Sequence, residues 1–448
     1  MKLADYPYIS KAVVYLFCVY AFIWHFEIGK RVPALGSIRL EFILGTILGI
    51  CALVTISQQT VHKDNEAQVF TSKIPTAIII CLGVLGFGLV FSINIGVSWN
   101  LYYNNIIKYA IMALFLRVFA VSPQNLRMFF ASIFLVYLKV GQEAFFGKIT
   151  GSMVWENQGI MRLWGTQGSM FGHPSSLSGK TLSTLPFVYY LFRNVPRFWQ
   201  ALLVVFLVVA LNILLFTGSR TGYIAFLFMV AVIVLKSKSK IRAVLVVILI
   251  GSLALAYIPD QYKGRFVSSF KGQEKEGASK DTRKGLLRDS WHVFLDNPQG
   301  VGIGCFMIVQ KREGRNAQPT HNLYTELLSE TGIQGFFAFF AMLYLVLKSL
   351  RGLKSSFHEK LTSLTAFAES HSGDAATAYV MQKEIKDLVF LENVCSATIL
   401  YIYVRLSLGL FGNDLLELYW WIAAGLTLAL DQINQVISIR VRQLIDNI

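Results

Sequence analysis

The chain has 448 residues, of which 54 % are hydrophobic and only 15 % charged, and its mean hydropathy is +0.53. A soluble chain carries roughly 25 % charged residues, so an ordinary globular enzyme is excluded and a polytopic membrane protein is indicated. Forty-one Lys and Arg stand against 26 Asp and Glu, a formal net charge of +15. In a membrane protein that excess reads as orientation signal and contact with anionic lipid. No basic-aromatic module lies outside the apolar segments, so no nucleic-acid partner is expected. The five cysteines form neither a disulfide framework nor a CxxC pair and read as packing residues.

A span needs about 20 mostly apolar residues. That predicts an all-α integral membrane fold with about twelve transmembrane helices. They fall near 9–26, 37–57, 75–97, 99–120, 124–146, 177–192, 198–216, 221–236, 241–258, 321–349, 394–412 and 415–431. The first apolar stretch has no small-residue cleavage site after it, so it reads as a helix and not as a cleaved signal. With the N-terminus inside, Lys and Arg recur in each inner loop, including Arg117, Arg193, Lys236 and Arg351. Residues 1–448 then form one membrane domain. Residues 259–320 form a long outer, periplasmic loop with short helices. Residues 350–392 form a cytoplasmic linker whose Leu361, Leu364, Phe367 and Ala368 suggest an amphipathic helix, and 432–448 form a cytoplasmic amphipathic tail. The outer loop is strongly basic. Contact with lipid headgroups and contact with an anionic substrate both account for that.

Four stretches carry candidate chemistry. In Pro319–Phe337, Thr320 can cap a helix whose first turn holds His321 and Asn322. A helix N-terminus disfavours the protonated imidazole, so His321 would stay neutral near pH 7, as a general base requires. Glu326 and Glu330 follow on one side of that helix and read as facing a polar cavity. In Phe216–Tyr223, Arg220 sits among hydroxyls and two glycines, a turn suited to phosphate or to a lipid headgroup. Met161–Lys180 contributes Arg162 and His173; His173 before Pro174 reads equally well as a structural turn residue. In Asp281–Phe306, Leu286, Leu287, Trp291, Phe294 and Leu295 mark the apolar side of a short helix bearing Arg283 and Arg288. Either arginine could reach a phosphate or stay solvated. The GVGIG run lacks the setting of a dinucleotide site. Lys139 and Glu143 are spaced to pair on one helix. No metal-ligand spacing stands out, so no metal and no cofactor are expected.

Together these stretches resemble the O-antigen ligase and O-antigen polymerase superfamily of bacterial inner-membrane glycosyltransferases. GSRTG resembles the family's Ser-Arg turn, with Arg220 as its arginine. DTRKGLL followed by DNPQGVGIG resembles its arginine-led outer helix, with Arg283 leading. HNLYTELLSETGIQG resembles its His-Asn helix, with His321 in the catalytic place. MRLWG and FGHPSSL loosely resemble an upstream Arg-Gly-Pro stretch, although Ser175 stands where Asn is common. The motifs cover roughly residues 160–340, and the first 150 residues match only as apolar helices.

The resemblance implies a C-type glycosyltransferase bundle with a periplasmic site and metal-free chemistry. The donor it implies is an undecaprenyl-pyrophosphate-linked glycan. His321 would be catalytic, with Arg220, Arg283, Arg162, Arg288 and Asn322 at the pyrophosphate or glycan. A polymerase would pass the glycan to a second lipid-linked repeat unit, a ligase to lipid A-core. Membrane lipids and a chain-length regulator protein are further expected partners. The polymerase reading is preferred on the ELLSETGIQG helix, and a polysaccharide transporter is the alternative of a different class.

Overall fold

The computed structural model describes residues 3–61, 72–157, 159–237, 239–257, 259–264, 279–315, 317–370 and 375–446. Part of the expected outer loop, 265–278 with Lys271 and Lys275, lies outside them. The described chain is a bundle of helices: α1 Lys11–Phe26, α2 Leu40–Val61, α3 Ile74–Phe87, α4 Lys108–Phe119, α5 Pro123–Ile149, α6 Pro174–Leu191 and α7 Arg197–Phe216. They are followed by α8 Arg220–Lys236, α9 Lys240–Tyr257, α10 Ser279–Asp296, α11 Gly332–Ser370, α12 Ala375–Gly409 and α13 Tyr419–Asp446. One antiparallel hairpin, β1 Val154–Asn157 with β2 Ile160–Leu163, stands between α5 and α6, with Trp155 opposite Arg162.

Among the described residues, seven helices are long and apolar enough to cross a membrane. The expectation of about twelve crossings is therefore met only in part on length and composition. The shortfall has physical causes. With 16 and 17 residues, α1 and α8 are shorter than a full span. The rod from Ile95 to Phe119 contains a π-turn at Tyr102–Ile107. In α6 the run Ser-Leu-Ser-Gly-Lys-Thr is too polar to face lipid.

That polar run is buried by protein instead. Ser178, Gly179, Lys180, Thr181, Leu182 and Ser183 are all buried, which makes α6 a central helix of the bundle. Small residues allow it close neighbours. A Cβ on Gly222 of α8 would meet Ser178 Oγ at 2.1 Å, and one on Gly179 would touch Arg405 and Leu408 of α12 at 3.7 Å. Gly409, at the end of α12, lies against Leu323 in the same way. The starts of α6 and α8, the end of α12 and the segment before Leu323 thus share one end of the bundle.

The linker and tail do not form separate helices. Leu350, Leu353, Phe357 and Leu364 continue the buried stripe of α11, so that helix runs unbroken for 39 residues. Ile433, Ile437, Val441 and Leu444 extend α13 in the same manner. Residues 371–374 of the linker lie outside the described set. The apolar side of α10 also divides. Leu286 and Val293 are buried, while Leu287, Trp291 and Leu295 form an exposed stripe. The five expected packing cysteines are free thiols, four of them buried and Cys51 half-buried.

Candidate active site

The stretch around His321 differs from the simple helix start. Asn322, and not Thr320, caps the helix: its Oδ1 accepts from the Tyr324 and Thr325 amides, both at 3.0 Å. Asn is among the strongest capping residues because its short side chain reaches those otherwise unpaired donors. Its Nδ2 donates to Leu410 O at 3.0 Å. Both polar ends of Asn322 are thus committed to backbone, and its part is to fix the turn. His321 precedes the helix with φ 52°, in the left-handed region. A non-glycine residue held there costs about 1–3 kcal/mol, and such strain clusters at functional sites. The turn is clamped on the far side too, since the Thr320 hydroxyl lies 3.2 Å from Asn322 O.

Glu326 and Glu330 do not face an open cavity. Glu326 accepts from the Leu415 amide at 3.3 Å, which holds the α12–α13 connection against the His321 helix. Glu330 sits in a π-turn, Leu327–Thr331, that swells the helix by one residue. Its carboxyl oxygens accept from the amides of Gly304 at 2.7 Å and Phe306 at 3.4 Å. The Asn-Pro-Gln-Gly-Val-Gly-Ile-Gly loop is docked here. Val301 N donates to Ser329 O, Gly302 N to Glu330 O and Ile333 N to Pro298 O. Gly332 has φ 70°, and a Cβ there would lie 2.3 Å from the Gln299 carbonyl carbon. The loop therefore ties α10, which carries Arg283, to the helix that follows His321.

The other stretches converge on the same end. Arg162 on β2 is buried; its Nε donates to Thr217 O and its Nη1 to Asn157 Oδ1, both at 2.8 Å. It braces the turn whose Ser219 caps α8 by accepting from Gly222 N at 3.2 Å, and Arg220 is the first residue of that helix. His173 caps α6, its Nδ1 accepting from Ser175 N at 3.2 Å, and its ring meets Trp164 edge-on at 5.4 Å. Tyr262 donates to Met161 O at 2.6 Å and seals the β2 side.

Electrostatics link these groups. Burial first, and then the Arg283 guanidinium, hold the His321 imidazole below its ordinary value. His173 is pushed down to about 4 by burial, then by Arg162, His321 and Arg283. Two neutral imidazoles thus stand near arginines from two distant parts of the chain, Arg162 and Arg283. Arg288 is exposed on α10 and does not figure among the charges acting on either ring. The sequence alone left His173 open between a site residue and a structural turn residue. Its signal was the His-Pro pair at a helix start, which is also how an ordinary cap looks.

Arg162→Ala removes a buried donor from both Thr217 O and Asn157. We expect each lost charged hydrogen bond to cost about 1.5–3 kcal/mol and thermal unfolding in detergent to begin at lower temperature. Arg162→Lys will not restore it, because a lysine lacks the planar fork that spans two acceptors.

The fold and site are those of a multi-pass helical membrane protein with a basic, histidine-bearing cluster at one end of its bundle. Residues 205–340 match the family model described as O-antigen ligase. The match supports the O-antigen ligase and polymerase superfamily, whose members are glycosyltransferase-like enzymes. The matched stretch holds Arg220, Arg283, the docked glycine loop and His321; Arg162 and His173 precede it. No curated protein matches the chain.

Proposed function

We propose that the chain transfers a glycan from undecaprenyl pyrophosphate to an acceptor hydroxyl at the periplasmic face of the bacterial inner membrane, joining lipid-linked repeat units as a polymerase. The observation that carries this reading is the action of the Arg283 charge on the buried His321 imidazole. An imidazole kept neutral beside a guanidinium suits a reaction that takes one proton and releases one anion. His321 accepts the proton of the acceptor hydroxyl, and that oxygen attacks the anomeric carbon of the donor sugar. The bond from that carbon to the diphosphate breaks, and its electron pair leaves with the diphosphate. Arg283 and Arg220 neutralise the charge that develops there. Arg162 supports the Arg220 turn from behind. Arg288 on the exposed side of α10 is the weakest candidate for phosphate contact.

The ligase reading is kept because the matching family model is described as O-antigen ligase. A lipopolysaccharide gel from a strain lacking the protein, with analysis of its lipid-linked glycans, separates the two. A single repeat left on core means polymerase. Core without repeats, with long chains retained on undecaprenyl pyrophosphate, means ligase. An unchanged ladder and unchanged lipid-linked glycans would sink both.

The pH profile tests the His321–Arg283 pairing. A neighbouring cation disfavours imidazolium, so Arg283 lowers the pH at which the base is lost. In Arg283→Met the imidazole protonates more readily. We expect the acid limb of kcat/KM to move to higher pH, along with a fall in rate. An acid limb in the same place would remove Arg283 from the vicinity of the base.

A further inference from the structure

A cavity lies apart from the His321 cluster. It holds about 1040 Å³ and is bounded by α1, α2, α4, α5, α6 and the start of α13. Its polar end is built by buried groups. Lys180, 3 % exposed, reaches Glu417 Oε2 at 2.7 Å. His25, 5 % exposed, donates from Nδ1 to Ala21 O at 2.8 Å. The neutral ring then presents Nε2 as an acceptor, and that atom is buried with no hydrogen-bond partner among the described residues. Lys180 lies seven residues after His173, two turns along α6 on the same face, roughly 10 Å away. The polar end thus sits beneath the His321 end of the bundle.

The lining also says what kind of molecule fits. Four basic and three acidic residues line the cavity, a near balance that does not select a diphosphate. An unpaired acceptor beside an ammonium–carboxylate pair matches hydroxyl groups, which donate to one and accept from the other. Trp24 and Tyr109 offer aromatic surface with polar tips nearby. Elsewhere the wall is apolar, at Phe115, Phe130 and Ile133 and at Phe42 of α2. Only 11 % of the apolar window of α2 is buried, so the side of the cavity that it forms borders lipid.

We propose that this cavity is a glycolipid site that seats the uncharged, hydroxyl-bearing sugar end against His25, Lys180 and Glu417, with the aliphatic chain along α2. The site goes beyond the transfer chemistry proposed above, and its occupancy is measured without turnover. Both partners of that transfer carry sugar on a chain, so the test separates them.

Protein in nanodiscs is photocrosslinked with a diazirine-bearing dodecyl maltoside, in competition with dodecyl maltoside or dodecyl phosphate, and the labelled peptides are mapped. Label is expected on α1, α2 and the start of α13. Competition is expected from the maltoside and not from the phosphate. His25→Phe fills the polar end and should weaken labelling by about tenfold, the loss of one or two hydrogen bonds. Gly49→Trp is the variant least prone to misfold, because nothing among the described residues lies within 4 Å of an added Cβ there, although the residue lines the cavity. It should block labelling as strongly. Equal competition by dodecyl phosphate, or labelling that both variants leave intact, overturns the proposal. In a transfer assay, Gly49→Trp raises the KM of whichever partner seats its sugar there, and unchanged KM for both overturns it as well. A protein without transfer activity that still labels as expected retains the site and loses only the reaction proposed above.

Discussion

His321→Asn should leave a folded protein that transfers no measurable glycan. Asparagine adopts left-handed backbone more readily than most residues, so the turn at φ 52° survives the substitution. What disappears is the group that takes the acceptor's proton, a loss worth about 10²–10⁴-fold in rate. The check is a product ladder beside a thermal unfolding curve. Normal product from His321→Asn would end the general-base assignment. His321→Gly sharpens the point. It relieves backbone strain of about 1–3 kcal/mol and should unfold at a higher temperature than wild type while remaining inactive. A histidine retained where glycine would be more stable is what a stability–activity trade-off predicts.

The second large effect is expected at Glu330. Glu330→Ala leaves the amides of Gly304 and Phe306 buried without their acceptor. Each unmet donor costs about 1–3 kcal/mol. Because the loop also connects α10 to the His321 helix, the damage reaches chemistry. Released from its dock, α10 no longer holds Arg283 beside His321. The expected signature is a lower unfolding temperature, a fall in kcat and an acid limb moved to higher pH. That last shift arises because His321 loses the cation that held its imidazole down. The other groups facing the pair, His173 and Arg162, stay on α6 and β2 and do not move with α10. A lower unfolding temperature with an unmoved acid limb would make the dock purely structural.

Much of this was legible in the sequence, for reasons that particular residues illustrate. Helices expected to begin near 124, 177 and 221 begin at Pro123, Pro174 and Arg220, where Ser122, His173 and Ser219 cap them. Apolar runs located the bundle because lipid and core both select for them. Which of the two a residue faces was not legible. The buried polar run of α6 and the exposed Leu287, Trp291 and Leu295 of α10 are both decided by neighbours far along the chain. The cap at Asn322 was missed in favour of Thr320 because a positive φ at His321 leaves no mark in one-dimensional patterning. Glu326 and Glu330 looked like cavity carboxylates because their partners are backbone amides, which every residue but proline has. The order of the arginine and histidine motifs survived because it depends on residue identity and not on packing.

The π-turn at Leu327–Thr331 has a consequence for how this segment tolerates change. Such a turn is what one inserted residue leaves in an α-helix. Deleting one residue there would restore ordinary winding at little local expense, yet it would turn everything downstream by about 100°. The helix is fastened on both sides of the swelling. Asn322 is held to Leu410 upstream, and Ile333 to Pro298 downstream. A deletion must therefore tear one fastening to keep the other. Length variation in related chains is expected to avoid these five residues and to accumulate instead in the connections that bear no such pair of anchors.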